Sequence, residues 1–127
     1  MLIIHEDLQK SFDILGEGIK INNSIRTIKF SSLENVSFNT FFSTIKDNKS
    51  LIRLNFVRIS FENEIGESLF DLFKVHENLS YLEFNDCNLY VNDYKLISKI
   101  VEGSFIKQLS ITYSKFLILL KFLFSGN

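Results

Sequence analysis

Few residues in this chain carry reactive chemistry, and their surroundings argue against a catalytic centre. Cys87, in "LEFNDCNLY", is the only thiol. A cysteine nucleophile or metal ligand needs something that lowers its pKa, and a cysteine buried among apolar residues is inert. His5 and His76 are far apart and belong to no H-x-x-x-H or C-x-x-C pattern, so the sequence supports no metal centre. Glu62 and Glu64 could act as an acid–base pair. They flank an expected helix start, however, where carboxylates complement the helix dipole. "GEG" at Gly16 to Gly18 lies in an expected helix and lacks the preceding strand that a phosphate-binding loop requires. There is no G-x-S-x-G, Walker lysine or G-x-G-x-x-G motif. The expectation is a protein that is not an enzyme and needs no cofactor and no metal.

The bulk properties narrow the partners. A net charge of −1 over 127 residues gives no global attraction to nucleic acid or anionic lipid. A single cysteine cannot form an internal disulfide, which fits a reducing, cytoplasmic location. The start "MLIIHEDLQK" is too short an apolar run for a signal peptide. The longest apolar run, "FLILLKFLF" from Phe116, is half of the roughly 18 residues that suggest a membrane span. At 46% hydrophobic residues, the chain can build a core, and its length suggests one domain.

The elements that position these residues emerge from an irregular spacing. In "LSYLEFNDCNLY", Leu79, Leu82, Phe84, Cys87 and Leu89 are apolar, at intervals of 3, 2, 3 and 2. The same spacing recurs in "LIRLNFVRISF" from Leu51, "IKQLSITYSKF" from Ile106 and "IRTIKFSSL" from Ile25. The steps between copies are 26, 28 and 27 residues. The fourth and sixth positions then alternate inward along a short parallel strand, and the first, ninth and eleventh turn inward on the flanking bends. Ten residues before each copy stand Leu15, Phe41, Leu69 and Leu96, and six before stand Ile19, Ile45, Phe73 and Ile100. Each pair has i, i+4 spacing, the signature of one buried helical face. Leu8 and Phe12 extend the first stripe, and Asn63 and Asn92 stand where helix caps would fall.

The pattern L-x-x-L-x-L-x-x-(N/C)-x-L at a period near 27 resembles the leucine-rich repeat, in particular its ribonuclease-inhibitor-like subclass. "IGESLFDLFKVHENLSYLEFNDCNL" and "GEGIKINNSIRTIKFSS" carry the likeness, which covers roughly residues 6 to 116. Leu33, Ile59 and Ser114 replace the usual ninth residue in three copies, and Val36 is expected to take the burial that Asn35 cannot. The resemblance implies an α/β solenoid, a short horseshoe of about four strand–helix repeats with the parallel sheet concave and the helices convex. It would occupy residues 1–127 as a single domain: a helix over 6–21, repeats starting near 25, 51, 79 and 106, and an apolar tail over 117–127. In that subclass Cys87 would be buried against the backbone of an adjacent bend.

Members of such families often bind proteins through the concave face. Here that face would offer Lys29, Arg53, Arg58, Tyr81, Glu83, Asp86 and Tyr113, together with Asn55 and Val57 among others. Tyrosine and arginine are enriched at interface hot spots. The expected function is a protein-binding scaffold with a protein partner. Two other readings follow from the same resemblance. Some GTPase-activating proteins of this subclass use an arginine after a strand, and Arg58 holds that place, although no acidic tail follows. Alternatively, the chain is a fragment of a longer repeat array. The apolar run at the end is expected to dock on a partner or a second copy, to be the stump of a truncated array, or to cap the last repeat.

Overall fold

The computed structural model describes residues 2–34, 36–61, 65–103 and 105–112, with backbone alone for residues 2–7. Asn35, Glu62, Asn63, Glu64, Tyr113, Ser114, the apolar tail and the His5 side chain lie outside the described residues.

Four strand–helix units follow one another: α1 (Leu2–Ile21), β1 (Thr27–Ser31), α2 (Asn39–Ile45), β2 (Arg53–Val57), α3 (Gly66–Val75), β3 (Tyr81–Asn85), α4 (Val91–Gly103) and β4 (Gln108–Thr112). The strands form one parallel sheet in chain order, as the equal intervals require. A helix in every crossover, combined with sequential order, places the helices on one face of the sheet.

The sheet is in register by repeat position. Ile28, Leu54, Leu82 and Leu109 pair across it, and so do Phe30, Phe56, Phe84 and Ile111. The second row is the spine of the core. Phe30 stacks on Phe56 at 4.9 Å and Phe56 on Phe84 at 5.1 Å, with nearly parallel rings. Phe41 and Phe42 of α2 meet this spine edge-on, which couples helix to sheet. Strands begin two residues later than the first apolar position of each copy. Leu51 and Leu79 instead lie in the bends, fully buried.

Three expectations about helices are corrected. The first helix starts at Leu2 rather than residue 6, and Leu15 is exposed at 56%. Its inward face is formed by Phe12, Gly16 and Ile19. A Cβ on Gly16 would stand 3.2 Å from the Phe41 ring, so the missing side chain lets that ring approach. Asn92 lies inside α4 and is not its cap. The N–H of Tyr90, just before the helix, is accepted instead by the Oδ2 of Asp93 in the first turn, at 2.9 Å. Among the described residues, no helix is long and apolar enough to cross a membrane.

The bends before β1, β2 and β3 share one device that the apolar spacing conceals. Asn22, Asn48 and His76 each stand three residues before a repeat start. Their side chains accept the N–H of Ile25 (2.8 Å), Leu51 (2.8 Å) and Leu79 (3.1 Å). Asn48 also donates through Nδ2 to the carbonyls of Ile19 and Asn22, tying its bend to the previous one. His76 is 3% exposed, and its Nε2 makes no hydrogen bond of ordinary geometry among the described residues. Burial pushes its pKa below the usual 6.5, against a smaller upward pull from the Asn48 backbone, and Lys49 lowers it further.

The sign of the pH effect follows from that direction. The unfolded chain binds a proton at His76 more readily than the folded one. The stability associated with neutral His76 is therefore complete above about pH 6.5 and declines as pH falls toward the lower folded value, by at most about 1.4 kcal/mol per pH unit. Urea midpoints should fall between pH 7.5 and 5.5. In His76→Asn, which copies Asn48, the fall should be smaller. An identical pH dependence in both proteins would remove His76 from the account.

Candidate functional site

The outward side chains of the strands form three rungs: Thr27, Arg53, Tyr81 and Gln108; then Lys29, Asn55, Glu83 and Ser110; then Ser31, Val57, Asn85 and Thr112. Parallel in-register pairing aligns equivalent positions of successive units, so residues about 27 apart in sequence become neighbours. Arg53, Tyr81 and Glu83 therefore lie on one continuous surface, as do Lys29 and Asn55. Tyr113 is outside the described residues.

Arg53 and Tyr81 act as a pair. The guanidinium carbon lies 4.9 Å from the Tyr81 ring centroid, a cation–π contact that fixes both side chains before any partner arrives. Lys29 is exposed and Glu83 is half-buried. Val57 differs from expectation: it is 8% exposed, between Ser31 and Asn85, and offers little to a partner.

Arg58 and Asp86 end their strands in an unusual way. Ser32, Arg58 and Asp86 occupy the same repeat position, with φ of 54°, 51° and 55°. This left-handed conformation costs a residue with a Cβ roughly 1–2 kcal/mol. It turns the chain off the sheet while the ladder continues, because the N–H groups of these residues donate to Val57, Asn85 and Thr112 of the next strand. Arg58 also donates from Nε to the Ser32 Oγ at 3.3 Å. Replacing Arg58 with glycine should raise stability by about 0.5–1 kcal/mol, once glycine's greater unfolded-state freedom is counted. Arg58→Val should lower it. Thermal melts of the two variants moving together would contradict a left-handed Arg58.

Asn55, at the centre of the face, carries a feature that sequence does not reveal. Its Oδ1 is buried and has no hydrogen-bond partner among the described residues. A buried acceptor without a donor costs free energy, and this one is out of reach of an outside donor unless the side chain turns. No spacing rule distinguishes Asn55 from an ordinary outward strand residue.

Cys87 is 2% exposed and donates through Sγ to the carbonyls of Phe56 (3.4 Å) and Asn85 (3.5 Å). Burial pushes its pKa up, against the direction a thiolate nucleophile needs. The thiol thus joins the end of β3 to β2. Among the described residues, no group of three or more histidine, cysteine or acidic side chains could hold a metal ion. The face thus offers shape, charges of both signs and one fixed aromatic. No family model matches this chain, and neither a curated protein nor a solved structure does.

Proposed function

We propose that this chain is a leucine-rich-repeat-type solenoid that binds a protein partner through the outward face of its sheet, as a scaffold rather than an enzyme. The observation that carries the reading is the pre-arranged Arg53–Tyr81 pair on a rigid parallel sheet, with Lys29, Asn55 and Glu83 on the adjoining rung. The repeat assignment rests on the phase of the apolar positions, the in-register rows they form, and the recurring bends at Asn22, Asn48 and His76. A preformed face loses little conformational entropy on association. Side chains of both signs favour a partner with complementary patches, and such complementarity acts chiefly on association rate and specificity.

The test is a charge reversal. Arg53→Glu with Arg58→Glu should slow association with the partner severalfold and leave the melting temperature nearly unchanged, since both side chains are exposed. Unchanged association kinetics in the folded double variant would move the site off this face.

A further inference from the structure

The bends that lead into the strands enclose a cleft of about 540 Å³ on the rim of the sheet. Arg26, Lys49 and Lys107 line it, with Asn23, Asn78 and Tyr81. No acidic side chain is among its described lining residues. A chain with a net charge of −1 thus gathers three exposed cations around one open concavity, which gives the rim a local positive potential. Arg26 donates from Nη1 to the carbonyls of Asn23 and Ser50, which braces the guanidinium and leaves Nε and Nη2 for a ligand. Tyr81 belongs both to this cleft and to the outward face, so the two surfaces are continuous.

Spacing selects the kind of anion. Arg26 enters β1 and Lys107 enters β4, three strand steps away. At about 4.8 Å per step their backbones stand roughly 14 Å apart, so the cations are spread along the rim, where an elongated anion can contact more of them than a single phosphate or carboxylate. An extended peptide rises about 3.3 Å per residue, so about five residues cross the cleft. Acidic side chains along such a segment would then meet Arg26, Lys49 and Lys107 in turn, over steps of one and two strands. Single-stranded nucleic acid fits less well, since it needs stacking platforms. Tyr81 is the one aromatic among the described lining residues, and Arg53 already covers it.

We infer that the rim cleft formed by Arg26, Lys49 and Lys107 binds an extended acidic peptide segment of a protein partner. This rests on the protein-binding reading above and specifies the chemistry of part of the partner. The backbone groups of the cleft are already committed: Ile52 and Arg53 donate to the Arg26 carbonyl, Ser80 and Tyr81 to Ile52, and Lys107 and Gln108 to Ser80. Recognition therefore falls to the side-chain cations and is sensitive to salt.

The experiment is fluorescence anisotropy of a labelled oligo-glutamate peptide with the full chain, beside a scrambled neutral peptide and a single-stranded oligonucleotide. Oligo-glutamate should bind, and binding should weaken steeply with added salt. Each exposed ion pair contributes a factor of about two to three. Arg26→Gln, Lys49→Gln and Lys107→Gln together should therefore weaken binding about tenfold. Circular dichroism checks that the triple variant is folded, and Lys10→Gln, Lys74→Gln and Lys99→Gln together, on α1, α3 and α4, serve as a charge-matched control. Equal binding by wild type and triple variant, no binding of oligo-glutamate at low salt, or preference for the oligonucleotide would each overturn the inference. The Arg53→Glu, Arg58→Glu test of the outward face is separate, so either result can fail without the other.

Discussion

Phe56→Ala lowers the stability of this protein by about 3–5 kcal/mol, the largest loss expected from a single truncation here. Phe56 is fully buried on an interior strand. Its ring stacks between Phe30 and Phe84 and meets Phe38, Phe42 and Phe61 edge-on. Alanine would remove the middle of the aromatic spine and leave a cavity between units that touch chiefly their neighbours. A domain of this size has a total stability of roughly 5–15 kcal/mol, so the loss is a large fraction of the whole. Leu82→Ala, at 1% exposure, should cost about 2–5 kcal/mol. Tyr81→Ala, one residue away and facing outward, should cost under about 1 kcal/mol. Urea titration of the three variants reads this order directly. Equal midpoint shifts for Phe56→Ala and Tyr81→Ala would reject the division into inward and outward rows.

Asp93→Asn should cost about 3 kcal/mol, although it removes only a charge and one acceptor. Asp93 is fully buried. Its Oδ1 accepts the N–H groups of Ile65 (2.9 Å) and Gly66 (2.6 Å) at the start of α3, while Oδ2 accepts Tyr90 N–H before α4. One carboxylate thus caps two neighbouring helices, where both dipoles favour negative charge. Asparagine would turn an N–H₂ group toward one of those donors. Gly66 is part of the same joint. A Cβ there would stand 2.8 Å from the Asp93 Cα and 3.0 Å from its Oδ1, so Gly66→Ala should also destabilise. The check is a double-mutant cycle between positions 66 and 93. Simple additivity of the two losses would contradict a shared joint.

The contrast between these residues shows what spacing can and cannot convey. Leu54, Phe56, Leu82 and Phe84 were legible because the strand period is two and the unit period near 27, and both act on apolar side chains. Leu15 misled because a helix stripe counted in apolar residues overlooks Gly16, whose missing side chain lets Phe41 occupy the place. Asp93 was invisible because the Ile65 and Gly66 N–H groups that it accepts lie 28 and 27 residues away. Arg58 and Asp86 carry no glycine signal for their left-handed turns. On the candidate face, the members could be named from the outward phase of the strands. The Arg53–Tyr81 contact, the unpaired Asn55 acceptor and the cationic rim depend on which units lie side by side and how their bends fold.

Under the proposed function, a protein partner contacts the outward face of the sheet. Site-specific photocrosslinking measures this most directly, with a photoreactive amino acid placed singly at Asn55, Glu83 and Ser110 on the strands and at Asp71 and Lys99 on the helices. One common partner adduct is expected from the three strand positions, lost in Arg53→Glu, Arg58→Glu, and none from the helical positions. The same adduct formed from Asp71 or Lys99, with none from Asn55 or Glu83, would contradict it.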